Sequence, residues 1–228
     1  MRPCSNANAR ARRSPPVSSK NAILSRLRHG RAASPANTAA FAAERAPDAV
    51  TPDLDIMVSA LEAAHARVFR STTGQWADDL AKLARERGWA NWWIGGDDVG
   101  RTWQAHDSAP ATTVFSDWDS QKAPLFDAAE VALGRARAGI AETGTLVVES
   151  SPQVPRTLSL VPPVHVVVID EDSVVGSLHQ ALAHYENKSL PTNLIFISGP
   201  SKTADIQQTL AYGAHGPREL IVYLCRRE

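Results

Sequence analysis

The stretch at residues 194–224, LIFISGPSKTADIQQTLAYGAHGPRELIVYL, limits the fold more than any other part of the chain. Leu194, Ile195, Phe196 and Ile197 form an unbroken apolar run closed by Gly199 and Pro200, and the lack of alternation predicts a strand buried on both faces, as in a parallel sheet. Ser201 and Thr203 then read as alternative N-caps of a helix, with Asp205 in its first turn, Ile206 and Leu210 on one face and Gly213 as its stop. A second apolar run at residues 220–224 follows the Gly216-Pro217 turn. Strand, helix and strand in this order read as a right-handed crossover unit, with any chemistry expected where the strands end.

The same alternation continues upstream. MVSALEAAHA reads as a helix, ARVFRS as a strand, and a helix capped by Thr73 or Gly74 runs to Arg87 and stops at Gly88. NWWIGG and TTVFS are further strands, the first with Trp92 and Trp93 on opposite faces. Three short strand-like pieces, 129–133, 139–141 and 145–149, leave no room for helices between them and are expected to pair as hairpins or a meander. Residues 165–169 form another buried strand, and SLHQALAHYEN another helix. The expected class is α/β, with a mixed, mainly parallel sheet flanked by helices.

Charge is uneven along the chain. Residues 1–41 hold eight Lys and Arg and no acid, so the rest carries sixteen basic against twenty-four acidic side chains. This reads as a basic leader over residues 1–18, an amphipathic helix and linker over 19–52 in which Ile23, Leu24 and Leu27 share a face and Gly30 stops the turn, and an α/β domain over 53–228. A mildly acidic body argues against nucleic acid, and no apolar run is long enough to span a membrane. The two cysteines, Cys4 and Cys225, stand at opposite ends with no CxxC, which fits a reducing compartment and is too few thiolates for an iron–sulfur cluster. No pair of histidines has metal-ligand spacing: His179 and His184 lie five apart on one helix, and His65 and His106 lack companions.

Three short stretches carry candidate chemistry. In GIAETGT, Glu142 and the hydroxyls of Thr143 and Thr145 flank Gly144, giving either a pocket-lining turn with a proton-moving carboxylate or a hairpin that satisfies its own backbone. SGPSKT places Ser201, Lys202 and Thr203 at the expected helix start, either as an anion cradle or as a capping turn; it lacks the Walker glycines. AHGPRE places His215 before the last strand, as an acid or base if a partner exists. His165, entering its strand after Pro162-Pro163, reads as a satisfied structural side chain, and Gly95-Gly96 as a place where a ligand can approach the backbone.

GIAETGTLVVES, RTLSLVPPVHVVVI and FISGPSKTADIQQTLAYGAHGPRELIVYL, in this order and spacing, resemble the LUD domain of the lactate utilization protein C (LutC) family. The resemblance is strongest over residues 138–224 and includes SSKNAILSRLR near the amino end. It implies the fold shared by glucosamine-phosphate deaminase, ribose-5-phosphate isomerase and CoA transferases (NagB/RpiA/CoA transferase-like). It also implies a cytoplasmic subunit of an L-lactate oxidation complex that yields pyruvate alongside two iron–sulfur partner subunits, with no cofactor bound by this chain alone. On that reading Glu142 or His215 moves a proton, while Thr143, Gly144, Thr145, Ser201, Lys202 and Thr203 hold a small carboxylate. Two other readings stand beside it: a stand-alone enzyme acting on a sugar phosphate, a folate or a CoA ester, and a non-catalytic interaction module.

Overall fold

The computed structural model describes residues 19–32, 50–186, 191–204 and 210–228, so the basic leader, Cys4, Asp205 and Ile206 lie outside the described residues. The chain divides into two compact units, Met1–Ala46 and Pro47–Glu228. The first contributes helix α1 (Ser19–Ala32), which continues past Gly30, where the sequence reading had placed its stop.

The second unit is the α/β domain. Its elements are α2 (Leu54–Ala63), β1 (Arg67–Thr72), α3 (Trp76–Arg87), β2 (Trp92–Ile94), α4 (Asp98–Gln104), β3 (Thr112–Val114), α5 (Trp118–Ala128), β4 (Val131–Arg135), β5 (Ala138–Ile140) and β6 (Thr145–Ser150). They continue with α6 (Arg156–Leu160), β7 (Val164–Asp170), β8 (Val174–Val175), α7 (Leu178–Ala183), β9 (Asn193–Ile197), β10 (Lys202–Ala204), β11 (Leu210–Tyr212) and β12 (Glu219–Arg226).

Six strands form one sheet in the order β1-β12-β7-β4-β2-β3, every neighbouring pair parallel. Both of its faces are buried, and so its strands lack alternation: His165 through Ile169 on β7 and Leu220 through Cys225 on β12 are all buried. One face packs on α3 and α4, where Trp92 meets Trp103 in a tilted pair with ring centroids 4.7 Å apart. The other packs on α2 and β6 through Met57, Leu61, Leu146 and Val148, and on α5 and α6 through Leu125 and Leu158. Trp92 and Trp93 do point to opposite faces, and both are core. At α3, Gly88 takes the left-handed conformation (φ 67°) and ends the helix as its position implied.

Two pairings differ from the sequence reading. The pieces around 139–141 and 145–149 do form a hairpin, β5–β6, but β4 joins the parallel sheet, and β5 and β6 belong to a second sheet in the order β8-β5-β6-β9. The crossover at the chain's end is also absent. β9 lies in the second sheet and β12 in the first, and the segment expected to start a helix is β10, which pairs antiparallel with β11 (Lys202 with Tyr212, Thr203 with Ala211). The cause is long-range pairing at Ser201: its N–H donates to the Pro217 carbonyl at 2.7 Å, and its carbonyl accepts from the Gly213 N–H at 2.9 Å. A backbone held on both sides by distant partners cannot turn into a helical N-terminus. Three short helices carry little periodicity and lie outside the sequence reading: α4, capped by the Asp97 carboxylate on the Gly100 amide; α5, which contains Pro124 and buries only Leu125; and α6, which buries Leu158 and Ser159.

Candidate functional site

Two of the three stretches that carry the family resemblance line one cavity of about 200 Å³, and the third, GIAETGTLVVES, meets its wall only through a hydroxyl contact to Ser198. α6 supplies Ser159 and Leu160, the start of β7 supplies His165, and β9 supplies Ile195, Phe196 and Ile197. The turn after β9 supplies Ser198, Gly199, Pro200 and Ser201, and the connection into β12 supplies His215, Gly216 and Pro217. Ser201 is fixed there by its two backbone bonds and by Gly216, where an added Cβ would stand 3.2 Å from the Ser201 Cβ. Side chains any larger at Gly216 would push the two walls apart.

His165 decides the character of the cavity. It is 2% exposed, and its Nδ1 has no hydrogen-bond partner among the described residues. Burial penalises the imidazolium and lowers its pKa to about 4, so the ring is neutral at neutral pH. A neutral imidazole carries one N–H and one lone pair, and a buried polar atom without a partner is costly unless something in the cavity satisfies it. The expectation of a satisfied structural histidine is therefore corrected. Its signal in the sequence was position alone: an imidazole inside the otherwise aliphatic strand VHVVVI, directly after a Pro-Pro entry.

Of the residues singled out from sequence, the structure brings Ser201 and His215 to this cavity, His215 as an exposed side chain on its wall. Thr145 reaches it through a chain of hydroxyls: Thr143 Oγ1 lies 2.8 Å from Thr145 Oγ1, which lies 2.8 Å from Ser198 Oγ on the cavity wall. This chain ties GIAETGT to SGPSKT. Gly144 has a backbone role, with φ 59° and no room for a Cβ, which would meet the Ala60 Cβ at 2.7 Å and the Leu61 nitrogen at 2.8 Å. Glu142 is exposed in the turn Ala141–Thr143, its N–H donating to the Gly176 carbonyl at 3.2 Å, and does not line the cavity. Lys202 is exposed and Thr203 half-buried on β10, and neither lines it. Because Lys202 and Thr203 lie in a strand, no helix dipole or row of helical amides is aimed at an anion there. Ser159 and Ser198 were not singled out from sequence, since a serine beside an apolar run has no distinguishing spacing.

Gly95 and Gly96 do allow a close approach, and the chain itself makes it: the Gly96 N–H donates to the Gln153 carbonyl at 3.1 Å, and a Cβ on Gly95 would stand 2.6 Å from the Val154 Cγ2. Among the described residues no group of three or more His, Cys, Asp or Glu is placed to hold a metal ion. Cys225 is buried on β12, and desolvation pushes its thiol up to about 12, which keeps it from serving as a thiolate. No helix among the described residues is long and apolar enough to cross a membrane.

Chemically, the cavity joins an aliphatic wall (Ile195, Ile197, Leu220) to hydroxyls (Ser159, Ser201), a neutral buried imidazole and a second imidazole, His215. It suits a ligand of a few heavy atoms with one apolar end and one hydrogen-bonding end.

The LUD domain family model matches residues 54–225 of the chain. Among curated proteins, an uncharacterized protein of Neisseria meningitidis serogroup B is 50% identical over 106 residues, 46% of each chain. Lactate utilization protein C of Geobacillus thermodenitrificans is 32% identical over 122 residues, 49% of this chain and 51% of its own. Its namesake from Bacillus subtilis is 30% identical over 110 residues, 44% of this chain and 46% of its own. The chain thus spans about half the length of the curated relatives it matches. The crystal structure of a DUF162 family protein from Deinococcus radiodurans superposes with a TM-score of 0.51 at 20% identity, covering 77% of this chain and 96% of that chain, a likeness of fold.

Proposed function

The chain belongs to the LUD domain family, and from that premise we propose that it works in lactate utilization, as a cytoplasmic subunit of a complex that oxidises L-lactate to pyruvate. The observation that carries the reading is one small cavity, lined by two of the three family-like segments, that holds a neutral His165 whose Nδ1 has no partner among the described residues. Relatives named lactate utilization protein C supply the substrate class.

L-Lactate has a methyl, a hydroxyl and a carboxylate on one carbon, and the cavity has a counterpart for each. The aliphatic wall takes the methyl, the neutral imidazole of His165 pairs with the hydroxyl, and the serine hydroxyls with His215 take the carboxylate. Loss of two electrons and two protons from the alcohol gives the ketone. In this reading the iron–sulfur clusters of two partner subunits would take up the two electrons, the hydroxyl and Cα protons would leave to solvent by way of the exposed His215, and the neutral His165 would hold the hydroxyl by a hydrogen bond. Glu142, in an exposed turn beside the hydroxyl chain, acts at most at the surface of the site in this reading, and His215 takes the more direct part.

The test is growth on L-lactate as sole carbon source by a strain lacking this gene, complemented with wild type, His165→Leu or Ser201→Ala. Lost growth restored by wild type but not by His165→Leu is the expected result. Normal growth of the deletion strain would remove the physiological claim, and full rescue by both variants would remove the cavity from it.

A further inference from the structure

The two larger sheets end in four edge strands, β1, β3, β8 and β9, and three of these are protected. An unpaired strand edge is a template for another chain, and folded proteins blunt such edges with charge or by keeping them short. β1 carries Arg67 and Arg70, which make ion pairs with Glu219 and Asp55. β3 has three residues and β8 two. β9, NLIFI, has five residues and no such device. No side chain from 191 to 201 is charged, no proline lies within the strand, and among the described residues β9 pairs with β6 alone.

The direction of the free backbone groups follows from β6. Its Val147 carbonyl accepts from the Arg137 N–H at 2.7 Å, on the β5 side. The backbone groups of Leu146 and Val148 therefore turn to β9, where the register sets Ile197 and Ile195 opposite them. The N–H and C=O groups of Leu194 and Phe196 point the other way, off the edge of the sheet. The side chains alternate between faces: Ile195 and Ile197 pack toward the larger sheet, Leu194 packs with Ile140, Val147 and Ala181, and Phe196 is left 45% exposed. The exposed Leu160 lines the same cavity as Phe196, so apolar surface flanks the open edge.

We propose that this edge is the two-fold interface of a homodimer, in which β9 of one copy pairs antiparallel with β9 of a second and the two smaller sheets become one continuous sheet. The edge is complementary to itself. With Ile195 on the axis, Leu194 meets the partner's Phe196 and Phe196 meets the partner's Leu194. Both residues offer their backbone groups outward, so each pair exchanges two hydrogen bonds. The Leu–Phe contact across the strands covers the exposed ring. A two-fold axis sets an edge against its own copy, so a charged edge would repel itself; the uncharged run from 191 to 201 does not. The interface borders the histidine cavity, whose wall includes Ile195, Phe196 and Ile197, but the pairing is independent of what that cavity binds.

Sedimentation velocity of the full chain from about 1 to 100 μM tests the proposal in wild type, Phe196→Lys and Phe196→Pro. Wild type is expected to sediment as a dimer of the 24.6 kDa chain, and both variants to lose dimerisation or weaken it about tenfold or more. Lysine charges an exposed position, and proline removes an outward N–H while leaving the ladder to β6 intact, so the circular dichroism of both stays that of wild type. A second readout fixes the register. Ile195→Cys in a Cys4→Ser background is expected to form an intermolecular disulfide on mild oxidation, because a non-hydrogen-bonded antiparallel pair sets its Cα atoms about 4.5 Å apart. Asn193→Cys, whose counterpart in this register is the partner's Ile197, stays uncrosslinked. A wild-type monomer throughout the range, a dimer that persists in both Phe196 variants, growth into larger oligomers, or equal cross-linking through positions 193 and 195 overturns the proposal. Mass and cross-linking are read without lactate, so failure here and failure of the histidine cavity are distinguished.

Discussion

Replacing His165 by glutamine tests the cavity through its titration. The side chain is 2% exposed, and burial lowers its pKa from 6.5 to about 4. As pH falls below 6.5 the unfolded chain takes up a proton at this residue, while the folded protein does not until about pH 4. Across that window the unfolded state binds more protons, so acidification favours unfolding. His165 therefore adds no pH penalty above 6.5, and its cost grows as pH drops toward about 4. At about 1.4 kcal/mol per pH unit, the whole window corresponds to about 3 kcal/mol, of which about 2 kcal/mol falls between pH 7 and pH 5. Glutamine retains a hydrogen-bonding side chain of similar reach and does not titrate, and the remaining titrating groups are common to both proteins and cancel in the difference. Urea unfolding at pH 7, 6 and 5 is then expected to show wild type losing about 2 kcal/mol more than His165→Gln. Parallel pH profiles would mean that the folded protein protonates this imidazole as readily as the unfolded chain does, and would refute the buried, neutral His165 on which the site is built.

Three further substitutions probe how the site is held. Gly144→Ala forces a Cβ onto a left-handed backbone and against the Ala60 Cβ and the Leu61 nitrogen, and should cost about 2–4 kcal/mol in chemical denaturation; a loss under about 0.5 kcal/mol would contradict the packing of this turn on α2. Thr145→Val cuts the hydroxyl chain between Thr143 and Ser198 and should cost about 1–2 kcal/mol, with Thr145→Ser restoring most of it. Ser177→Ala removes a capping box in which Ser177 and Gln180 satisfy each other's backbone N–H groups at the start of α7; the expected cost is about 1 kcal/mol, seen also as faster amide exchange in α7, and unchanged exchange there would argue against the cap.

Much of the architecture was legible in residue patterns that depend on local chemistry. The glycine at 88 stops α3 because only a left-handed residue fits there, and the unbroken apolar runs of β7 and β12 announce strands covered on both faces. What could not be read depends on partners distant in sequence. Ser201, Thr203 and the spacing of Ile206 and Leu210 are all compatible with a capped helix, and it is the pairing of Ser201 with Gly213 and Pro217 that draws the segment into a hairpin. For the same reason β9 looks in sequence like a central parallel strand, while in the fold it borders β6 in the smaller sheet, and Phe196 is exposed. The site was legible as a set of stretches more than as residues. Ser201 and His215 stand out in the motifs, but the charged Glu142 and Lys202 lie outside the cavity, and His165 reads in sequence as a structural side chain because a lone histidine in a strand has no companion at ligand or catalytic spacing.

The central claim is that the cavity between α6, β9 and the start of β7 binds L-lactate through His165. Calorimetric titration of L-lactate into the full chain, alone and with any proteins that co-purify with it, tests it most directly, with His165→Leu as the variant. Saturable binding that weakens about tenfold or more in the variant is the predicted result. An absence of saturable binding in both preparations, or binding of equal strength in wild type and variant, would contradict it.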